Sequence, residues 1–178
     1  EKLKQIQNKL SGANRFSSVG RGNLGAQLSK VCNILSKGVN IPVLKVAIGS
    51  FDTHSEQFWR HRDLLRELDE SLYETVHALQ NIGIWNDTVI MTYSEFGRRA
   101  AENGSRGTDH GMAAPHFLMG GKLKGGFVGK VPNLGRLRNN NLEFEIDYRT
   151  VYETVLREHF GLDDNPFQKY QNKGLFSL

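Results

Sequence analysis

A mainly parallel α/β sheet flanked by helices is the fold this sequence predicts, on three observations. Three short runs, Pro42 to Gly49 (PVLKVAIG), Thr88 to Tyr93 (TVIMTY) and Ala114 to Met119 (APHFLM), have the length and composition of buried strands. A long stretch with helical spacing of its apolar residues separates the first two runs. The chain has 178 residues, the size of one domain. The reading is therefore a single domain over residues 1–178, with 1–22 as a lead-in and 161–178 as a tail.

Each element has its own signal. The opening to Gly22 is polar, ends in Gly20 and Gly22, and has room for one short helix. Leu24, Leu28, Val31 and Leu35 recur at spacings of four, three and four, which predicts a helix closed by Gly38. The strand PVLKVAIG follows. A second helix is predicted from about Ser55 to Asn81, where Leu65, Leu68, Leu72, Val76 and Leu79 keep the same rhythm up to Gly83. After TVIMTY, a loop rich in Gly, Arg and Asn runs from Ser94 to Gly111 and leads into APHFLM. Gly120, Gly121, Gly125 and Gly126 break the chain repeatedly. Leu142, Phe144 and Ile146 alternate as in a half-exposed strand. Asp147 stands where an N-cap belongs, before a helix through Val151, Val155 and Leu156 to Phe160.

Composition excludes several classes. There are 23 Lys+Arg against 19 Asp+Glu, a formal charge of +4, and the basic residues are scattered rather than blocked, which argues against a nucleic-acid partner. No apolar run approaches the length of a membrane span. Cys32 is the single cysteine, so an intrachain disulfide and a cysteine-built zinc site are both impossible. The sequence opens on Glu1 with no n-region and h-region pattern visible, so the expectation is a processed chain or a portion of a longer one.

In α/β sheets ligands gather beyond the carboxyl ends of strands, and three segments lie at that edge. In Ser50-Phe51-Asp52-Thr53-His54, residues i and i+2 of extended backbone face the same way, so Asp52 and His54 can meet one point. A carboxylate and an imidazole together suit zinc or manganese. The bland reading is an Asp that caps the next helix beside an unrelated His. In Ser94-Glu95-Phe96-Gly97-Arg98, Glu95 is a candidate ligand and Arg98 or Arg99 a candidate oxyanion binder, against the alternative of a surface pair. In Gly107-Thr108-Asp109-His110-Gly111, flanking glycines leave the backbone free to bring His110 close to a ligand. The competing reading is an Asp-containing turn with a solvated His.

Other motifs carry less. His61 falls on the stripe of the long helix, as a packed residue or a support for the ligands. His77, His116 and His159 read as structural or solvated. Gly20-Arg21-Gly22-Asn23-Leu24-Gly25 satisfies G-x-G-x-x-G and precedes a helix, but no firm strand leads into it and no acid lies near Lys45. No G-x-S-x-G nucleophile elbow occurs.

The blocks GSFDTHSEQFWRHRDLL, NDTVIMTYSEFGRR and NGSRGTDHGMAAPHFLMGGKLKGG, in this order, resemble a bacterial family of unknown function, the domain of unknown function 1501 family. That family is described as sulfatase-like and placed in the alkaline phosphatase superfamily. The resemblance covers roughly residues 20 to 160 and matches a C-terminal portion. It implies an alkaline phosphatase-like α/β core with one or two divalent metals, and a Ser, Thr or modified Cys that attacks a phosphoryl or sulfuryl group. Asp52 and His54 then match the ligands of the first metal. Glu95 takes the place of the Asp in the superfamily's Asp-His pair, and His110 that of the later His. Asp109 is a ligand or an orienter. An alternative register puts Asp109 and His110 on the Asp-His pair itself.

Two departures qualify what the resemblance implies. Phe96 stands where the superfamily pair has its His, which favours one ion over two. The nucleophile belongs near an N-terminal strand, and Ser17 and Ser18 have no such strand before them, so none is identified in this chain. The expectation is a parent protein that hydrolyses small phosphate or sulfate esters with a divalent metal, this chain carrying the metal-ligand half of the site. The alternative is a catalytically inactive module of binding or structural role. Export to the periplasm is implied by the resemblance alone.

Overall fold

Apolar spacing builds the first half of the chain as helices. The computed structural model describes residues 2–172 and 175–176. It divides into two units, Glu1–Trp85 and Asn86–Leu178. In the first, α1 (Lys2–Leu10), α2 (Gly22–Ser36) and α3 (Gln57–Ile82) are joined by coil. Leu24, Leu28 and Cys32 lie four residues apart on one face of α2 and are all buried. They form the core with Val19 and Ala78, and Phe16, Val46, Ile48, Leu68 and Ile82 pack around it. Helix α3 ends where the sequence places its stop. Gly83 takes φ 87°, and its N–H bonds to the carbonyls of Leu79 and Gln80.

The G-x-G-x-x-G run is a helix-packing device. Gly20 has φ 75°, and a Cβ there would lie 2.4 Å from Cα of Ser71 on α3. A Cβ at Gly22 would fall 2.3 Å from Cδ of Glu67, whose carboxylate accepts a hydrogen bond from Leu24 N at 2.9 Å. An acidic side chain thus caps the first turn of α2, where a nucleotide phosphate would have to sit.

The run PVLKVAIG belongs to no sheet. Val46 and Ile48 face the core, while Val43 and Leu44 are exposed. A single side chain stands in for a neighbouring strand. The Gln27 amide donates to the Ala47 carbonyl at 2.7 Å and accepts from Ala47 N at 3.0 Å.

The second unit contains two separate antiparallel ribbons. Strand β1 (Val89–Met91) pairs with β4 (Leu118–Gly120), Ile90 opposite Met119. Strand β2 (Gly97–Glu102) pairs with β3 (Thr108–Gly111), Arg98 opposite His110, with a register shift before Glu102. Helix α4 (Tyr148–Glu158) follows, with Asp147 capping it as its sequence position predicts. Leu142, Phe144 and Ile146 form no strand; only an isolated bridge between Arg138 and Asn141 occurs nearby. Part of the expected tail docks on α4. Tyr152 and Phe167 lie 5.6 Å apart, and the Arg149 guanidinium lies 4.2 Å from the Tyr170 ring. Residues 173, 174, 177 and 178 of that tail, and residue 1 of the lead-in, lie outside the described residues.

This architecture overturns the expected mainly parallel, alkaline phosphatase-like sheet. The described residues hold four α-helices and two antiparallel two-stranded sheets. The reason is physical: a short apolar run is equally compatible with a buried parallel strand, a two-stranded ribbon and an extended coil. Among the described residues no helix is long and apolar enough to cross a membrane.

Candidate functional site

In the first unit, residues 50–56 form a short bracket ahead of α3. Thr53 is buried, 1% exposed, and its N–H bonds to the Phe51 carbonyl at 2.9 Å. Asp52 and His54, on either side of the buried Thr53, are both exposed. His54 Nε2 and Asp52 Oδ1 meet at 2.9 Å, with side-chain exposures of 47% and 59%. Ser50 and Glu56 both hold positive φ, 69° and 47°, which costs non-glycine residues roughly 1–3 kcal/mol each. Positive φ at both ends of a seven-residue bracket that presents a carboxylate and an imidazole singles this place out as the candidate site in the unit. His61, on the first turns of α3, packs edge-on against Phe51 at 5.4 Å and supports the residue preceding Asp52.

The Asp52–His54 pair fits a divalent cation by donor type and by distance. Oxygen and nitrogen ligands of a tetrahedral zinc, each at about 2.0–2.1 Å, lie about 3.3 Å from each other. A small opening of the 2.9 Å contact admits an ion between the two atoms.

In the second unit the site residues are arranged by the β2–β3 ribbon. The His110 ring lies flat on Phe96, with centroids 3.8 Å apart and planes 6° from parallel. The Arg98 guanidinium stands 5.0 Å from the same Phe96 ring and donates to the Thr108 carbonyl. Phe96, which in the sequence looks like a missing ligand, is the surface that orients His110. Gly97 is required beside it, because a Cβ there would lie 1.9 Å from the Ala113 carbonyl oxygen.

Ser94 closes the preceding bend by donating to the Phe96 carbonyl at 2.8 Å, and Glu95 is exposed in that bend. Asn103 organises the turn. Its side-chain oxygen accepts from Ser105 N at 2.9 Å and Gly107 N at 3.1 Å, and its amide reaches Asp109 Oδ1 at 3.4 Å. Alternate residues of β3 face opposite ways, so Asp109 turns toward Asn103 and His110 toward Phe96. Among the described residues, Glu95, Asp109 and His110 are not gathered into one cluster of three.

Three of these features escape residue-by-residue reading: the strained ends of the 50–56 bracket, the Phe96–His110 stack and the Asn103 turn. The Asn-Gly pair at 103–104 was the available signal for the last, since it marks a hairpin turn. Cys32 is inert by position: burial pushes its thiol up to about 11, far from a reactive thiolate.

The family model described as "Protein of unknown function (DUF1501)" matches residues 32–178. No curated protein and no solved structure matches the chain.

Proposed function

The chain belongs to the DUF1501 family of unknown function, and from that premise we propose that it carries the metal-ligand part of a hydrolase acting on small phosphate or sulfate esters. One observation carries the reading: an outward-facing carboxylate and imidazole, 2.9 Å apart, held in a bracket strained at both ends. Asp52 and His54 would hold one zinc or manganese ion. Such an ion supplies Lewis-acid polarisation of an ester oxygen and neutralises charge that develops on it. Thr53, anchored inside, keeps its two neighbours facing outward, so little reorganisation is needed to bind.

The other donors that the sequence assigns, Glu95, Asp109 and His110, lie in the second unit, and their part as ligands rests on the resemblance of the three sequence blocks. Phe96 would fix the His110 ring, and Asn103 would orient the Asp109 carboxylate. Arg98, bound to the Thr108 carbonyl and standing over Phe96, keeps the ribbon in register. Its assignment as an oxyanion binder is separable from that role, because R98K keeps a charge but loses the planar fork. The placement of Phe96 also favours a second reading, a module that binds the ion without hydrolysis.

The test is metal uptake followed by thermal unfolding. Zinc or manganese at a hundred times its Kd should stabilise the protein by about 2.7 kcal/mol. D52A and H54A should each abolish that shift and the bound metal measured by mass spectrometry. Unchanged uptake in both variants overturns the ligand assignment. Metal bound through these residues, with no release of p-nitrophenol from its phosphate or sulfate ester by the parent protein that supplies the nucleophile, selects the inactive module.

A further inference from the structure

After β4, residues 121–142 leave regular structure and expose an unusual combination of side chains. Phe127 is fully exposed and Val131 is 92% exposed, with Val128 and Leu134 also out in solvent. Between Asp109 and Glu143 the sequence has no acidic residue, whereas Lys122, Lys124, Lys130, Arg136 and Arg138 all fall there. Gly125, Gly126, Gly129 and Gly135 separate the apolar positions, and Gly126 and Gly129 adopt positive φ.

The segment is tethered at three points. Lys122 pairs with Asp87 at 3.1 Å, Lys130 with Glu145 at 3.7 Å, and Arg138 with Glu143 at 3.6 Å. Lys124 and Arg136, which flank the apolar tips, have no acidic partner among the described residues.

We propose that residues 121–142 form a peripheral docking loop for an anionic lipid surface, in which Phe127, Val128, Val131 and Leu134 enter the headgroup–acyl boundary while Lys124 and Arg136 contact lipid phosphates. Isolated apolar residues on a surface need no explanation, but four of them on one acid-free, basic segment do. Charge complementarity selects the partner. An anionic membrane attracts each basic side chain near it, and protruding apolar groups add burial that a flat polar surface does not offer. The exposed apolar residues further along, Phe144, Tyr148 and Leu162, lie instead among Glu143, Glu145, Asp147, Asp163 and Asp164, which a negative surface would repel. The tethers to Asp87, Glu143 and Glu145 limit how far the loop can move, which lowers the entropy lost on binding.

Co-sedimentation of the purified chain with phosphatidylcholine vesicles, with and without phosphatidylglycerol, tests the proposal. Binding should require the anionic lipid and fall roughly tenfold when salt is raised, since exposed charges are screened. F127S/V131S should weaken binding by about tenfold or more, as should K124E/R136E. All four positions are exposed, so the circular dichroism of both variants should match that of the parent chain. Binding that is absent, equal on neutral vesicles, or unchanged in both variants overturns the proposal. So does salt-sensitive capture of single-stranded nucleic acid through the same residues without any vesicle binding.

Discussion

The two units bury different chemistry. In the first, Val19, Leu24, Leu28, Cys32, Ala78 and Leu79 form a buried apolar seam contributed largely by α2 and α3, beside the buried and hydrogen-bonded Asn33, Thr53, Ser71 and Thr75. In the second, the buried residues with side chains, among those described, are Glu153 and Thr154, both on α4. Its ribbons are held by register pairs and by side chains that bond to backbone, such as Asn103 and Ser94. The first unit therefore has an apolar seam removed from water in addition to satisfied polar groups, whereas the second relies on polar groups that must be satisfied in place. The lesson concerns tolerance: an apolar seam responds in proportion to the volume lost, whereas a polar interior fails when one partner disappears.

Leu28→Ala is the sharpest way to test the first half of that comparison. Leu28 is 6% exposed at the centre of the seam, and its truncation should cost about 3 kcal/mol from lost burial plus a residual cavity. Urea unfolding followed by far-ultraviolet circular dichroism checks it. A cost under about 1 kcal/mol would show that the seam collapses around the gap and is no rigid core.

The next effect is expected in the second unit. The Glu153 carboxylate has 1% side-chain exposure and pairs with Arg157 at 3.1 Å across one helical turn. Glu153 Oε2 and Arg157 Nη2 have no hydrogen-bond partner among the described residues. Partial burial works against the Arg157 charge, but hydrogen bonds to Glu153 and Glu158 outweigh it and hold its pKa above the ordinary value. Arg157→Ala leaves a buried carboxylate without its cation, which should cost about 2–3 kcal/mol, near the low end for such pairs because Arg157 is partly exposed. Replacing both partners, E153L/R157M, should recover most of that loss. If the single variant is as stable as the parent, then the enclosed polar pair is not what holds α4, and the contrast between the units fails.

The same contrast explains what the sequence disclosed. Helices α2 and α3 were legible because Leu24, Leu28, Leu68 and Leu79 repeat within one element, and because Gly38 and Gly83 stop them. The cap at Asp147 was legible for the same local reason. Sheet membership was not. Whether PVLKVAIG becomes a strand depends on a partner elsewhere in the chain, and here the Gln27 side chain takes that partner's place. Strand β2, GRRAAE, contains no β-branched or aromatic residue; its pairing is set by the Asn103 turn and the close approach of Gly97 to Ala113. At the candidate site, Asp52 and His54 are two residues apart, and their contact at 2.9 Å is local enough to be anticipated from that separation. The stack of Phe96 on His110 joins residues 14 apart and depended on the register of a ribbon that no pattern announced.

The smallest effect sits where the second unit behaves most like the first, at a local signal. Asp147 accepts from Arg149 N at 2.9 Å and forks with the Arg149 guanidinium. The side-chain hydrogen bonds from Arg149 are the main force holding its carboxyl below the usual range; slight desolvation opposes them, and the backbone bond and the charge of Arg149 assist. A carboxylate with a lowered folded pKa stabilises the fold fully above its unfolded pKa of about 3.9, and that contribution disappears as pH falls through the folded value. Asp147→Ala should therefore cost about 1 kcal/mol at neutral pH, the usual value of an N-cap, and less in acid, where the protonated carboxyl keeps a capping oxygen but loses the ionic fork. Asp147→Asn keeps the capping oxygen but gives up the ionic fork, so it should lose less at neutral pH and flatten the acid limb of the stability curve. Urea midpoints at pH 7 and pH 3 separate the cases. A loss of equal size at both pH values for Asp147→Ala would mean that packing of the side chain, and not its charge, holds the start of α4.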